Sequence, residues 1–130
     1  MSLTNKVTKE DILRISGVDP NKCMQCGKCS GACPEYDEME YHPHQFAAMV
    51  RKNKIVELMN SNAIYKCLSC FACAERCPRH VEPARLIEAV RVAVIRQKGM
   101  NYMKPDDLPA KLDPEMPQQA LVSAMRKYSK

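Results

Sequence analysis

No apolar run in this 130-residue chain is long enough to cross a bilayer. The longest, Ala89–Ile95, is interrupted by Arg91 and falls far short of the roughly 20 residues that a spanning helix needs. The first twenty residues, Met1 to Pro20, are polar and mixed in charge and lack the apolar stretch of a secretory leader, so a cytoplasmic location is expected. Strand-like alternation of apolar and polar positions is missing as well, which points to an all-α chain. There is no glycine-rich phosphate loop and no dinucleotide fingerprint, so flavin and nicotinamide are expected on other proteins. The formal charge is +5, but lysine and arginine are scattered and accompany no recognition motif, so no nucleic-acid partner is expected. A chain of this size builds only a small apolar core and needs a staple.

The staple is visible in what the sequence has in excess, namely eight cysteines. All eight fall within two copies of one twelve-residue run, CMQCGKCSGACP at Cys23–Pro34 and CLSCFACAERCP at Cys67–Pro78, leaving no spare thiol. Both copies read C-x2-C-x2-C-x3-C-P, an internal repeat that implies two halves of a pseudo-symmetric core. In a reducing compartment thiols persist, so disulfides give way to metal.

The rest of the chain reads as helix. Thr8 with Asp11 three residues on resembles a capping box, followed by Ile12, Leu13 and Ile15 and stopped at Gly17. Pro43 suits a first helical position, with Phe46, Met49 and Val50 behind it. A turn near Asn53 leads to a second piece carrying Ile55, Val56, Leu58 and Met59 and ending around residues 60–62. Pro83 opens the clearest helix, expected over 83–98, with Leu86, Ala89, Val90, Ala93 and Val94 on one face, Arg85, Glu88 and Arg91 on another, and a stop at Gly99. Four prolines, Pro105, Pro109, Pro114 and Pro117, then break regular structure before a last helix expected over 118–128. The expected organisation is a helical domain at 8–100 and a Pro-rich C-terminal arm at 101–130 that lies on a partner.

Two residues between cysteines let one tight loop present thiolates to neighbouring corners of a cuboidal iron–sulfur cluster. Three such thiolates leave one iron unfilled. The C-x2-C-x2-C-x3-C-P run is the bacterial ferredoxin signature, in which the fourth cysteine ligates the other cluster. Two [4Fe–4S] clusters follow, one on Cys23, Cys26, Cys29 and Cys77 and one on Cys67, Cys70, Cys73 and Cys33, with Pro34 and Pro78 stiffening the backbone after each crossing residue. Each cluster carries a charge of about −2, so the loaded chain would fall to roughly +1. A structural zinc module is the competing reading, but zinc loops usually supply two ligands each. With every iron held by cysteine no position is open to substrate, and no catalytic residue is assigned. One-electron transfer remains.

Lys22, Lys28, Lys66, Arg76 and Arg79 lie near ligands in sequence and could favour a reduced cluster, although solvated side chains are the plainer reading. His42, His44 and His80 are surplus to ligation and read as surface or helix-entry residues, with a cluster-adjacent role as the alternative. The nine methionines suit irregular packing, and Tyr65 and Phe71 are expected to shield the second cluster.

The paired runs, their 32-residue insert and the segment IYKCLSCFACAERCPRHV together resemble the soluble C subunit of heterodisulfide reductase over about Ile12 to Gly99. The resemblance implies an alpha-helical ferredoxin-like fold. It also implies an electron-transfer role, placed between an A-type flavin and iron–sulfur protein and a B-type CCG-domain protein, with no small-molecule substrate of its own. Related modules occur in iron–sulfur subunits of succinate, glycolate and glycerol-3-phosphate dehydrogenase-type complexes. A free dicluster carrier and a self-contained enzyme are the other readings.

Overall fold

Helix α1, Lys9–Ser16, begins where Thr8 and Asp11 cap each other: the Thr8 hydroxyl accepts from the Asp11 amide at 3.2 Å, and an Asp11 carboxylate oxygen accepts from the Thr8 amide at 3.1 Å. It stops at Gly17, whose φ of 65° is left-handed, as the sequence predicts. The computed structural model describes residues 7–96, 105–107 and 109–126. The chain divides into two compact units, Met1–Gln97 and Lys98–Lys130.

In the first unit the described residues form helices and turns without a strand. The first cysteine run holds the one-turn helix α2, Lys28–Gly31. The insert supplies α3, Pro43–Arg51, with Pro43 at its first position, then α4, Ile55–Asn60, and α5, Ala63–Lys66. The second run holds another one-turn helix, α6, Ala72–Glu75, and α7, Pro83–Ile95, follows. α7 is central, packing against α1, α3, α4, α5 and α6, and its Ala84, Leu86, Ile87, Ala89, Val90 and Ala93 are buried. Opposite them stand Ile12 from α1, Phe46 and Val50 from α3, Leu58 from α4 and Ile64 from α5, all sealed from solvent. Full burial of such side chains contributes roughly 1.5–3 kcal/mol each, so this seam holds the insert to α7.

The long helix ends at Ile95, with Arg96 leaving the helical region at φ −114°, so the expected span to 98 is too long at its C-terminus. The expected Gly99 stop lies outside the described residues. Arg91, expected on a face of the helix apart from the apolar one, is held there against the second run: its Nε donates to the Ile64 carbonyl at 2.6 Å and its Nη2 to the Cys67 carbonyl at 2.6 Å. Periodicity places a residue on a face but cannot say what chain crosses that face.

In the second unit, short 3-10 turns at Pro105–Asp107 and Pro109–Lys111 precede α8, Gln118–Met125. The last two residues of the expected 118–128 helix lie outside the described residues. No helix among the described residues is long and apolar enough to cross a membrane.

Candidate iron–sulfur site

The repeat in sequence is a repeat in backbone. Gln25 and Ser69, each two residues after the first cysteine, have φ of 58° and 54°. Gly27 and Phe71, each after the second cysteine, have φ of 78° and 62° and open α2 and α6. Two left-handed residues two apart wind each run into a tight loop that exposes its middle cysteine. After the fourth cysteine the chain turns again: the Tyr36 amide donates to the Cys33 carbonyl at 3.3 Å and the His80 amide to the Cys77 carbonyl at 3.2 Å, with Pro34 and Pro78 just inside these turns. Proline suits that position because its φ is already set. Burial repeats too: Cys23 and Cys67 are half-buried, Cys26 and Cys70 exposed, Cys29 and Cys73 buried, Cys33 and Cys77 half-buried.

Three cysteines of the first run and the last cysteine of the second line one cavity. Cys23, Cys26, Cys29 and Cys77 share it with Met24, Gly27, His44, Arg79, Val81 and Pro83. Cys33 keeps other company. Burial pushes its thiol pKa up, against which the Glu35 amide acts to lower it, and Cys67, Cys70 and the Glu35 carboxylate push it up further. Burial pushes the Cys73 thiol up to about 11, with Cys67 and Cys29 adding to the effect. Cys33, Cys67, Cys70 and Cys73 therefore form a second neighbourhood. Cys29, Cys73 and Ala84 make a small buried group where the two meet.

A [4Fe–4S] cubane asks for four thiolates, each reaching a different iron, in an apolar setting with N–H donors aimed at sulfur. Each neighbourhood offers four thiols. Among the described residues no three or more His, Cys, Asp or Glu side chains are gathered closely enough for one metal ion. A cubane does not require that, since its thiolates bind separate irons. Donors to sulfur are present: Gln25 gives its backbone N–H at 3.4 Å and its side-chain amide at 3.0 Å to Cys23 Sγ, and the Val81 amide gives to Cys77 Sγ at 3.3 Å. Burial raises the Cys29 thiol, against which the Ser30 hydroxyl and amide act to lower it.

Of the expected basic neighbours, Arg79 lines the cavity, while Lys66 pairs with Glu38 at 3.6 Å. Lys22, Lys28 and Arg76 are exposed. His44 lines the cavity, and its Nδ1 lies 2.6 Å from the Ser30 hydroxyl; burial lowers its pKa, as does His42. His42 stacks on Tyr36 at 3.9 Å, and His80 is exposed. Met39, Met49 and Met59 fill the core as expected, whereas Met24 is exposed beside the ligands. Tyr65 and Phe71 are exposed, at 60% and 42%. Sequence reasoning passed over Gln25, Ser30 and Arg51, although aligning the two runs would have marked the first two: Ser69 stands where Gln25 does, and Ala74 where Ser30 does.

The 4Fe-4S dicluster domain family matches residues 19–81. Among known proteins the chain is 33% identical over 96 residues to the C subunit of the ferredoxin:CoB-CoM heterodisulfide reductase of Methanosarcina mazei, covering 73% of this chain and 56% of that one. It is 35% identical over 88 residues to the C2 subunit of the H(2)/formate:CoB-CoM heterodisulfide,ferredoxin reductase of Methanococcus maripaludis, covering 68% and 46%. It is 29% identical over 101 residues to the C subunit of the H(2):CoB-CoM heterodisulfide,ferredoxin reductase of Methanothermobacter thermautotrophicus, covering 78% and 53%. The chain thus spans about half the length of these curated relatives. A dicluster domain, eight cysteines in two ferredoxin runs and a helical frame around them among the described residues agree on one reading: this chain carries two [4Fe–4S] clusters and, over its dicluster region, is similar to the iron–sulfur C subunits of heterodisulfide reductase.

Proposed function

We propose that this chain is the electron-transfer subunit of a heterodisulfide-reductase-like complex, relaying single electrons between an A-type flavin and iron–sulfur protein and a B-type CCG-domain protein. The ligation is crossed: Cys23, Cys26, Cys29 and Cys77 hold one cluster, and Cys67, Cys70, Cys73 and Cys33 the other. The observation that carries this reading is the single cavity lined by three cysteines of one run and the fourth of the other. When bound, each cluster supplies reversible one-electron chemistry.

The protein's own residues do the rest. The left-handed pairs at Gln25 and Gly27, and at Ser69 and Phe71, hold each loop so that its thiolates converge. Arg51 and Arg91 fix the entry to each run, donating to the Cys23 carbonyl at 3.3 Å and the Cys67 carbonyl at 2.6 Å. Val81 and Pro83 give the first site an apolar wall. The helical domain is assigned to 8–100, and the arm at 101–130, with exposed Leu112, Met116 and Val122, serves partner binding. The location is the cytoplasm, where reducing conditions keep cysteine available to iron.

The test is anaerobic purification followed by iron and acid-labile sulfide analysis, EPR after dithionite reduction, and affinity capture with the tagged chain in its native host. About eight irons and eight sulfides per chain are expected, with a flavoprotein and a CCG-domain protein retained. Cys77→Ser should disturb the same cluster as Cys26→Ser. Capture of neither partner would favour the free carrier, and a chain that accepted only zinc would end the relay reading.

A further inference from the structure

The two cysteine runs match in backbone and in burial, yet their side chains treat the sulfurs differently. In the first run the Gln25 amide donates to Cys23 Sγ at 3.0 Å and is held there by a second bond to the His44 carbonyl at 3.1 Å. The residue in the same place of the second run, Ser69, turns away: its hydroxyl donates to Glu88 at 3.4 Å and accepts from Arg91 at 3.3 Å. The Val81 amide also donates to a sulfur of the first set, Cys77 Sγ, at 3.3 Å.

The charges lean the same way. Arg51 donates to the Cys23 carbonyl and makes no ion pair among the described residues, whereas Arg91 at Cys67 is paired with Glu88 at 3.1 Å. Arg79 lines the first cavity.

Reduction adds one negative charge to a cluster, and hydrogen-bond donors and positive charge near its sulfurs stabilise that charge. Since matched burial gives desolvation little means of separating the two sites, these donors decide the order. We propose that Gln25 sets the potential of the cluster on Cys23, Cys26, Cys29 and Cys77 above that of the cluster on Cys67, Cys70, Cys73 and Cys33. This rests on the crossed two-cluster reading. At half reduction the single electron supplied by an external one-electron donor resides on the first set, and no bond breaks and no proton moves. Gln25 is a positioning residue for charge on sulfur, and it gives the relay a built-in downhill sense.

The experiment is an EPR-monitored potentiometric titration of the anaerobically purified full chain. Gln25→Met keeps the length of the side chain and removes the donor. It should lower the upper potential alone, by a shift of about tenfold in the reduced-to-oxidised ratio, about 59 mV for one electron. Ser69→Gln installs an amide at a matching left-handed position and should raise only the lower potential. Eight irons and eight sulfides per chain, with both potentials unmoved by Gln25→Met, overturn this inference and leave the two-cluster reading intact. A Gln25→Met effect on the lower potential overturns the assignment of order. Failure of the wild-type chain to hold cubane iron overturns the underlying reading, and this one with it.

Discussion

Cys29 and Cys73, the third cysteines of the two runs, are buried together against Ala84 at the start of α7. That places the inner edge of each thiol set at one point, beneath a residue with only a methyl group. Ala84→Leu inserts three carbons where only 3% of the residue is exposed. The expected cost is about 1–3 kcal/mol of strain. The reduced protein should show weaker magnetic interaction between its two clusters by EPR, and an unchanged interaction signal at full iron loading would count against this contact as their junction.

Arg91 ties the second run to α7 through the carbonyls of Ile64 and Cys67, and its side chain is only 20% exposed. Arg91→Ala strands two carbonyls and should destabilise the fold by about 2 kcal/mol or more. Iron should be lost first from the site containing Cys67. Arg91→Lys should rescue only part of this, because one ammonium cannot reproduce a fork that spans two carbonyls. Chemical denaturation and iron analysis of the three proteins check it.

The two phenylalanines should answer mutation in opposite ways. Phe46 is fully buried in the seam between α3 and α7, and Phe46→Ala is expected to cost about 3–5 kcal/mol. Phe71 is 42% exposed and holds φ 62° where the first run has glycine. A bulky residue in that region stores of the order of 1 kcal/mol. Phe71→Gly should therefore leave stability within about 1 kcal/mol of wild type, relieved strain offsetting the added freedom of the unfolded chain. Thermal unfolding of both variants tests the contrast.

Stability of the iron-free chain should fall in alkali. The Cys73 thiol ordinarily titrates at 9.0 but is pushed up to about 11 by burial in the fold. Below 9.0 both folded and unfolded chains keep the proton, and the contribution is fully present. As pH rises toward 11 the unfolded chain loses its proton first, so stability declines by something on the order of 2 kcal/mol. Cys29 and Cys33, also raised, act in the same direction. Urea midpoints measured across this window should fall, and a flat profile would contradict the burial of Cys73.

Much of this protein is local and could be read from residues near one another in the chain. The Thr8–Asp11 cap, the Gly17 stop and the proline-led starts of α3 and α7 depend on interactions within a few residues, so sequence is enough to find them. The cysteine runs are of the same kind, since ligand spacing within a loop is a local property. The short helices α2 and α6 escaped notice because single turns leave no periodic signal, and left-handed Gln25, Ser69 and Phe71 belong to residue types that rarely advertise such a conformation.

What tertiary structure alone decided is which distant groups meet. Arg91 has the spacing of a solvated face, but α5 and the second run pass over it, and its guanidinium satisfies their carbonyls. The likeness of the two runs was plain in the sequence, and their inequality was not. It arises because the insert returns the His44 carbonyl to hold Gln25 against Cys23, while α7 offers Glu88 and Arg91 to draw Ser69 away. Spacing determines how many thiolates each loop can present; the electrostatic surroundings of those thiolates come from residues remote in sequence, and only packing brings them near.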